Sequence, residues 1–251
     1  MILQTNAVVL RSIDYGETSQ IVTLFTRQRG KVAAMAKGAR RSGSRFGSSL
    51  QPMSYSHVVI YYKQSRGVQT LSESSHVHFF DGITRSLESL SCGLRIVELV
   101  HALMQEEEQN SSAFNLVIQA LERLNRTYER TDNLLFYFQL RFASILGFAP
   151  DIDRDALEHV SDSGVLSLEN GTILPQRTPG SRAIRAASRQ SLRAFAVCAL
   201  ADLETVMRMR LDPSTSLEVG RLVDDYLRYH VEDAYPTRAA KIVGQMLEGH
   251  S

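Results

Sequence analysis

The sequence predicts an α+β chain in which a small N-terminal β-domain precedes a larger helical body. Three observations carry that reading. Up to about residue 80, short β-branched runs alternate with turn residues. From Asp81 the apolar residues recur every three or four positions instead, and the charge changes sign at the same place. Residues 1–80 hold ten Lys and Arg against three acids (Asp14, Glu17 and Glu73), a net charge of +7, whereas residues 81–251 hold 18 basic and 24 acidic side chains, a net of −6. Such asymmetry points to a polyanion-binding front half joined to an acidic rear half.

The first predicted strand is Ile2–Ile13, closed by a turn at Asp14-Tyr15-Gly16-Glu17. Ser19–Thr26 follows, rich in β-branched residues, and Arg27-Gln28-Arg29-Gly30 reads as a hairpin turn into Lys31–Lys37. Beyond a basic loop, Met53–Tyr62 places Met53, Tyr55, His57, Val59 and Tyr61 on one face, and Lys63–Gly67 leads into Val68–Phe79. Five strands at this spacing fit a small closed or sandwich domain. Fitting them into fewer than 80 residues suits an OB-type β-barrel, a fold often used on single-stranded nucleic acid, though that last step is analogy at the level of fold.

In Arg85–Glu107 the stripe Leu87, Leu90, Leu94, Val97, Val100 and Met104 marks an amphipathic helix, and Ala113–Tyr128 repeats the pattern. Asp132–Leu146 is apolar almost all round, which predicts a central buried helix ended by Gly147 and Pro150. Asp151 to about Ala187 is polar, with Asn170-Gly171 a hairpin turn between Gly164–Glu169 and Thr172–Gln176. A helix from Ser188, as N-cap, to Arg210 is broken from the next by Asp212-Pro213-Ser214, and the last helices are Thr215–His230 and Thr237–Leu247.

Composition excludes several classes. The longest apolar run, Ala194–Ala201, is too short to span a bilayer, which takes about 18 residues or more, and the N-terminus lacks a signal-peptide pattern. Cys92 and Cys198 sit in apolar helical contexts, as buried reduced thiols of a cytoplasmic protein do. No phosphate-binding loop accompanies Gly30-Lys31.

The chemistry concentrates between Arg27 and Arg45, which holds Arg27, Arg29, Lys31, Lys37, Arg40, Arg41 and Arg45 with no acid. Gly38 and Gly43 let the backbone approach a phosphate chain, and the cations neutralise it. Phe46, next in line, has two readings, a platform for a base or a plug for the barrel's mouth. A second acid-free set, Arg177, Arg182, Arg185, Arg189 and Arg193, reads as an extension of a nucleic-acid path, a dock for an acidic peptide, or plain surface charge. His57, His76 and His78 are read as surface residues rather than metal ligands, Glu106-Glu107-Glu108 as a solvated face, and Asp151, Asp153 and Asp155 lack the Gly and closing Glu of a calcium loop.

Ala36–Met53 (AKGARRSGSRFGSSLQPM), Val8–Thr26 (VVLRSIDYGETSQIVTLFT) and Leu140–Arg154 (LRFASILGFAPDIDR) together resemble the RecO family of bacterial recombination mediators, and Asp224–Glu232 (DDYLRYHVE) also fits it. The resemblance implies an OB-fold DNA-binding domain at 1–80, an α-helical domain at 81–150 and 188–251, and a zinc-finger-like insertion at 151–187. It also implies a cytoplasmic, nucleoid-associated, non-enzymatic protein that binds single- and double-stranded DNA and anneals strands. Its partners would be RecR and the acidic C-terminal tail of the single-stranded-DNA-binding protein SSB, and its role to help RecA replace SSB. Where the family carries four zinc cysteines, the matching positions here are Asp155, Glu158, Leu174 and Arg177, so no zinc and no other cofactor is expected. The alternative is a protein-interaction adaptor whose basic loop binds an acidic protein. A nuclease would need carboxylates or a metal triad beside that loop.

Overall fold

The computed structural model describes residues 1–127, 129–153, 155–177 and 183–236. It divides into two compact units, Met1–Tyr128 with Pro236 onward, and Glu129–Tyr235. The expected boundary near residue 80 is where strands give way to helices, whereas the compact units part only after the second helix.

In the first unit, β1 (Ile2–Tyr15), β2 (Ser19–Thr26), β3 (Gly30–Ala36), β4 (Tyr55–Tyr61) and β5 (Gln69–His78) close a barrel in the order β1-β2-β3-β5-β4. This is the five-stranded barrel expected from the sequence. β1 closes it by pairing with β4 over Ile2–Val8 and with β2 over Ala7–Tyr15, while β3 and β5 run parallel. Strand alternation sends Leu3, Ala7, Val9, Val22, Leu24, Ala34, Ala36, Val58, Ile60 and Leu71 into one interior cluster.

A bulge interrupts that alternation in β1, where the register with β2 shifts between Val9 and Arg11. Before the bulge the odd-numbered Leu3, Ala7 and Val9 point inward. After it Ser12 pairs with interior Val22, so Arg11, Ile13 and Tyr15 face outward, opposite Thr23, Ile21 and Ser19. The inserted residue thus turns the end of β1 over.

Helix α1 (Leu87–Leu103) is capped by Ser86, whose hydroxyl accepts from the Ser89 N–H, and packs on β1, where Val8 and Leu10 are buried. Helix α2 (Ser111–Arg126) is capped by Asn110 and sets Phe114 against Phe25 and Tyr55, with ring centroids 5.8 and 6.2 Å apart. Between these helices, the Glu106–Glu108 segment runs along the start of β3. Glu106 bridges to Lys31, the Glu107 N–H donates to the Lys31 carbonyl, and the Glu107 carboxylate accepts from the Tyr62 hydroxyl at 2.7 Å. The three glutamates are exposed, as expected, but Glu107 also ties the helical hairpin to the barrel.

The second unit packs α3 (Thr131–Ile145), α4 (Arg189–Leu200) and α6 (Pro213–Val231) around Phe138, Phe142, Phe195 and Tyr226, all fully buried. The Tyr226 hydroxyl donates to the Phe148 carbonyl at 2.9 Å, and burial pushes its pKa up to about 12. The single helix expected over 188–210 is two. Ala201 is extended, and Asp202 caps α5 (Leu203–Arg208) by accepting from Thr205. Ser188 caps α4, as its position predicts. Residues 151–187 carry more structure than their composition suggests. β6 (Ser163–Ser167) and β7 (Ile173–Leu174) form the hairpin turned by Asn170-Gly171, and β8 (Ile184–Ser188) pairs with the other edge of β6. The helix expected at 237–247 lies outside the described residues. Both cysteines are buried, and burial pushes the Cys198 thiol up to about 12, which disfavours the thiolate a nucleophile needs.

Candidate nucleic-acid interface

The basic stretch does not form one patch. Arg27 and Arg29 lie on the β2–β3 turn and Lys31 at the start of β3, whereas Lys37 to Arg45 follow its end. Seven strand residues hold the two groups about 20 Å apart, at roughly 3.3 Å per residue. In the first group Arg27 is exposed and Arg29 and Lys31 are half-buried. Arg27 lies 6.0 Å from the Phe114 ring centre and Arg29 4.3 Å from that of Tyr62. The Lys31 ammonium donates to the His101 carbonyl in the last turn of α1 at 2.8 Å, and burial lowers its pKa, partly offset by Glu106. Lys31 therefore serves as a C-terminal helix cap.

In the second group all four cations are exposed. Gly38, Gly43 and Gly47 adopt left-handed backbone, curling the loop against the barrel's rim. Arg40 clips it to the β1–β2 turn. Its N–H donates to the Thr18 carbonyl at 2.9 Å, and its guanidinium sits 3.2 Å from Asp14 and 3.4 Å from the Gly16 and Glu17 carbonyls. That ion pair is exposed on both sides and contributes mainly position. Lys37, Arg41 and Arg45 are exposed and have no carboxylate partner among the described residues. Three unneutralised cations on a rim turned by glycines suit a phosphate chain.

Phe46 requires a correction. Its ring is 2% exposed and belongs to the barrel's interior cluster, so it plugs the barrel and cannot stack on a base in solution. A 3-10 turn over Gly47–Leu50 follows it and buries Leu50 beside it. The aromatics that do lie exposed beside the loop are Tyr15, which lines an open cavity of about 380 Å³ with Met35, Lys37, Gly38 and Arg41, and Phe79, packed edge-on to His76, whose ring nitrogen is 3.0 Å from the Ser48 hydroxyl. Sequence reasoning passed over both. Tyr15 reads as a turn residue until the bulge in β1 is known, and Phe79 as the last residue of a strand.

Comparison with known families matches residues 1–80 to the family described as Recombination protein O N terminal, and residues 84–239 to Recombination protein O C terminal. The chain belongs to the RecO family. A DNA repair protein RecO of Salinibacter ruber is 55% identical over 247 residues, covering 98% of this chain and 94% of that protein. Those of Chloroherpeton thalassium and Chlorobium limicola are 30% and 31% identical, each covering 98% of this chain and 100% and 99% of their own lengths. RecO proteins are DNA repair proteins, and the barrel with its basic rim lies within the N-terminal RecO region. No described helix is long and apolar enough to cross a membrane.

Within the C-terminal RecO region the second arginine set is also divided. The Arg185 guanidinium lies 2.5 Å from Asp225 of α6. Arg189 and Arg193 share an exposed face of α4, Arg177 is exposed, and Arg182 lies outside the described residues. Arg193 stands at the edge of an apolar groove of about 300 Å³ lined by Ile152, Leu157, Ala196, Val197 and Leu200, with Asp153 also at its lip. Of Asp155, Glu158, Leu174 and Arg177, two carry no side chain suited to hold a metal. Leu174 offers no donor and Arg177 brings a cation, and among the described residues no three His, Cys, Asp or Glu side chains are placed to share an ion. Protein contacts hold the small sheet. Glu218 of α6 accepts from the Ser188 hydroxyl at 2.6 Å and from its N–H at 3.3 Å; burial raises its pKa, but these bonds together with Ser191 and the charge of Arg221 bring it below the ordinary carboxylate value.

Proposed function

We propose that this protein is a recombination mediator that binds single-stranded DNA on the rim of its barrel, anneals complementary strands, and helps load RecA onto SSB-coated DNA. The observation that carries this reading is the loop holding Lys37, Arg41 and Arg45, exposed and without acidic partners, on an OB-type barrel. Phosphate contacts hold a strand without reading its sequence and leave base edges free to pair, and neutralising two strands lowers the repulsion that opposes annealing. Binding without cleavage is favoured because the acids at this rim are Asp14, tied to Arg40, and Glu17.

RecR and SSB are the partners we assign with it. For the SSB tail, acidic with an apolar end, the groove between Ile152, Leu157 and α4 offers apolar walls with Arg193 at the edge and Arg189 one turn away. We also propose that the 151–187 insertion works without zinc, its sheet held by Ser188–Glu218 and Arg185–Asp225.

The test is fluorescence anisotropy of a labelled single-stranded oligonucleotide across a salt series. Lys37→Ala/Arg41→Ala/Arg45→Ala should flatten the slope of log K against log salt by about 2, at roughly 0.7 per lost phosphate contact. Lys31→Met should leave the slope unchanged, since its ammonium is committed to the His101 carbonyl. Equal slopes for wild type and triple variant would remove DNA from this loop. Absence of DNA binding by the wild type would favour the adaptor reading.

A further inference from the structure

The outer face of β1–β2–β3 beside the basic loop carries apolar side chains, Ile13 and Tyr15 exposed and Ile21 and Met35 half-buried. Ile13, Ile21 and Met35 form one cross-strand row, since Ile13 pairs with Ile21 and Ile21 with Met35. Tyr15 stands next along β1, and Lys37 continues the outward alternation of Met35. Tyr15 is 54% exposed and Ile13 43%. An apolar row ending in the exposed side chains of Ile13 and Tyr15 is a candidate binding surface.

The surroundings of the row identify its ligand. Arg11 is exposed on its near side, after the bulge, and Lys37 and Arg41 are exposed on its far side. Tyr15, Met35, Lys37, Gly38 and Arg41 share the open cavity of about 380 Å³, within the range of about 300–1,000 Å³ usual for small-ligand sites. Glu17 also lines it, against two cations. An apolar floor with an exposed aromatic ring, bordered by cations and approached by a glycine backbone, matches an unpaired nucleotide. The base lies on the ring and the floor, and its phosphates meet Lys37 and Arg41. A protein partner would meet the same apolar row, but cations on both borders, Arg11 on one and Lys37 and Arg41 on the other, favour a chain of phosphates.

We propose that Tyr15 is the base-stacking residue of this protein, with Ile13, Ile21 and Met35 as its floor. This rests on the reading that the loop binds DNA, and it adds a preference for single strands. Bases in a duplex are already stacked on each other, so only an unpaired base can use the ring. The bulge in β1 is the device that places it, because unbroken alternation from inward-facing Val9 would turn Tyr15 toward the barrel's interior.

The experiment compares wild type, Tyr15→Ala, Tyr15→Phe and Lys37→Ala/Arg41→Ala on an oligothymidylate, an abasic strand of the same length and a duplex. We expect Tyr15→Ala to weaken oligothymidylate binding about tenfold, in the range of one lost base–aromatic stack, while leaving abasic-strand binding, duplex binding and the salt slope unchanged. Tyr15→Phe keeps the ring and should bind as wild type. Because Tyr15 is exposed, both variants should melt with the wild type, and the abasic strand serves as a folding control. Equal loss on the thymidylate and abasic strands would overturn stacking, as would no loss on either. If Tyr15→Ala has no effect while Lys37→Ala/Arg41→Ala flattens the salt slope, the stacking proposal fails and the loop remains the DNA path. No binding of any strand by the wild type overturns both.

Discussion

Replacing Gly30 by Ala tests how the barrel is joined to the helical hairpin of its own unit. Gly30 has φ +62°, and a β-carbon there would meet the Glu108 carbonyl oxygen at 1.9 Å and its carbon at 2.5 Å. Left-handed backbone alone costs an L-residue roughly 1–2 kcal/mol. The collision adds to this, because the obstacle is backbone and its neighbours are zipped to the barrel. Relief means lifting the segment off β3, at the expense of the Glu107 N–H to Lys31 bond and the Tyr62 to Glu107 bond, each about 1 kcal/mol. The sum is about 3–4 kcal/mol. Gly43 provides the control, with φ +74° and nothing within 4 Å of the added carbon, so Gly43→Ala should show only the backbone cost of about 1–2 kcal/mol. The reduced entropy of the unfolded chain is common to both and cancels. Thermal melts should therefore separate the two variants by roughly 4–8 °C, at about 2–4 °C per kcal/mol for a protein of this size. Coincident melts, or a milder effect at Gly30, would show that the Glu106–Glu108 segment is not held against β3.

Two further outcomes follow from burial. Phe46→Ala should cost about 3–5 kcal/mol, the range for emptying a buried phenylalanine site, and Phe46→Leu much less; single-strand affinity measured below the melting range should be unchanged in Phe46→Leu. Burial lowers the pKa of His101, with Lys31 and Arg11 adding to the effect, and burial also lowers that of His230. Each then binds a proton more readily in the unfolded chain. Their contribution is therefore complete above the ordinary imidazole value of about 6.5 and is lost as pH falls from there toward the lower folded values. Denaturant titrations between about pH 7.5 and 5.5 should show falling stability, and His101→Gln and His230→Gln should each make the fall shallower; an unchanged slope in both variants would refute the assignment.

Much of the fold was legible in the chain because it rests on local signals. The five strands follow from β-branched runs and turns, α1 and α2 from their apolar stripes, α4 from Ser188 at its start, and α6 from its apolar residues, though Asp212-Pro213, read as a break, is its cap and first turn. The break at Ala201 was hidden because Ala194–Ala201 reads as continuous helix, and Asp202 acts as a cap only once Thr205 is seen donating to it. The strand β8 was missed for a different reason. Pairing to one edge of β6 supplies its stability, and Ile184–Ser188 alone has no strand pattern.

The basic loop and its charge were determined by the sequence itself, since charge sums and glycine positions need no partner to be read. Which cations are available was decided only in three dimensions. Lys31 is spent on a helix carbonyl from residue 101, Arg40 on the turn before it, and Phe46 on the barrel's interior. The outward turn of Tyr15 depends on one bulge in β1, and a shift of a single residue moves every later side chain of a strand to the opposite face. Such contacts join residues far apart in the chain, and neither composition nor periodicity carries them.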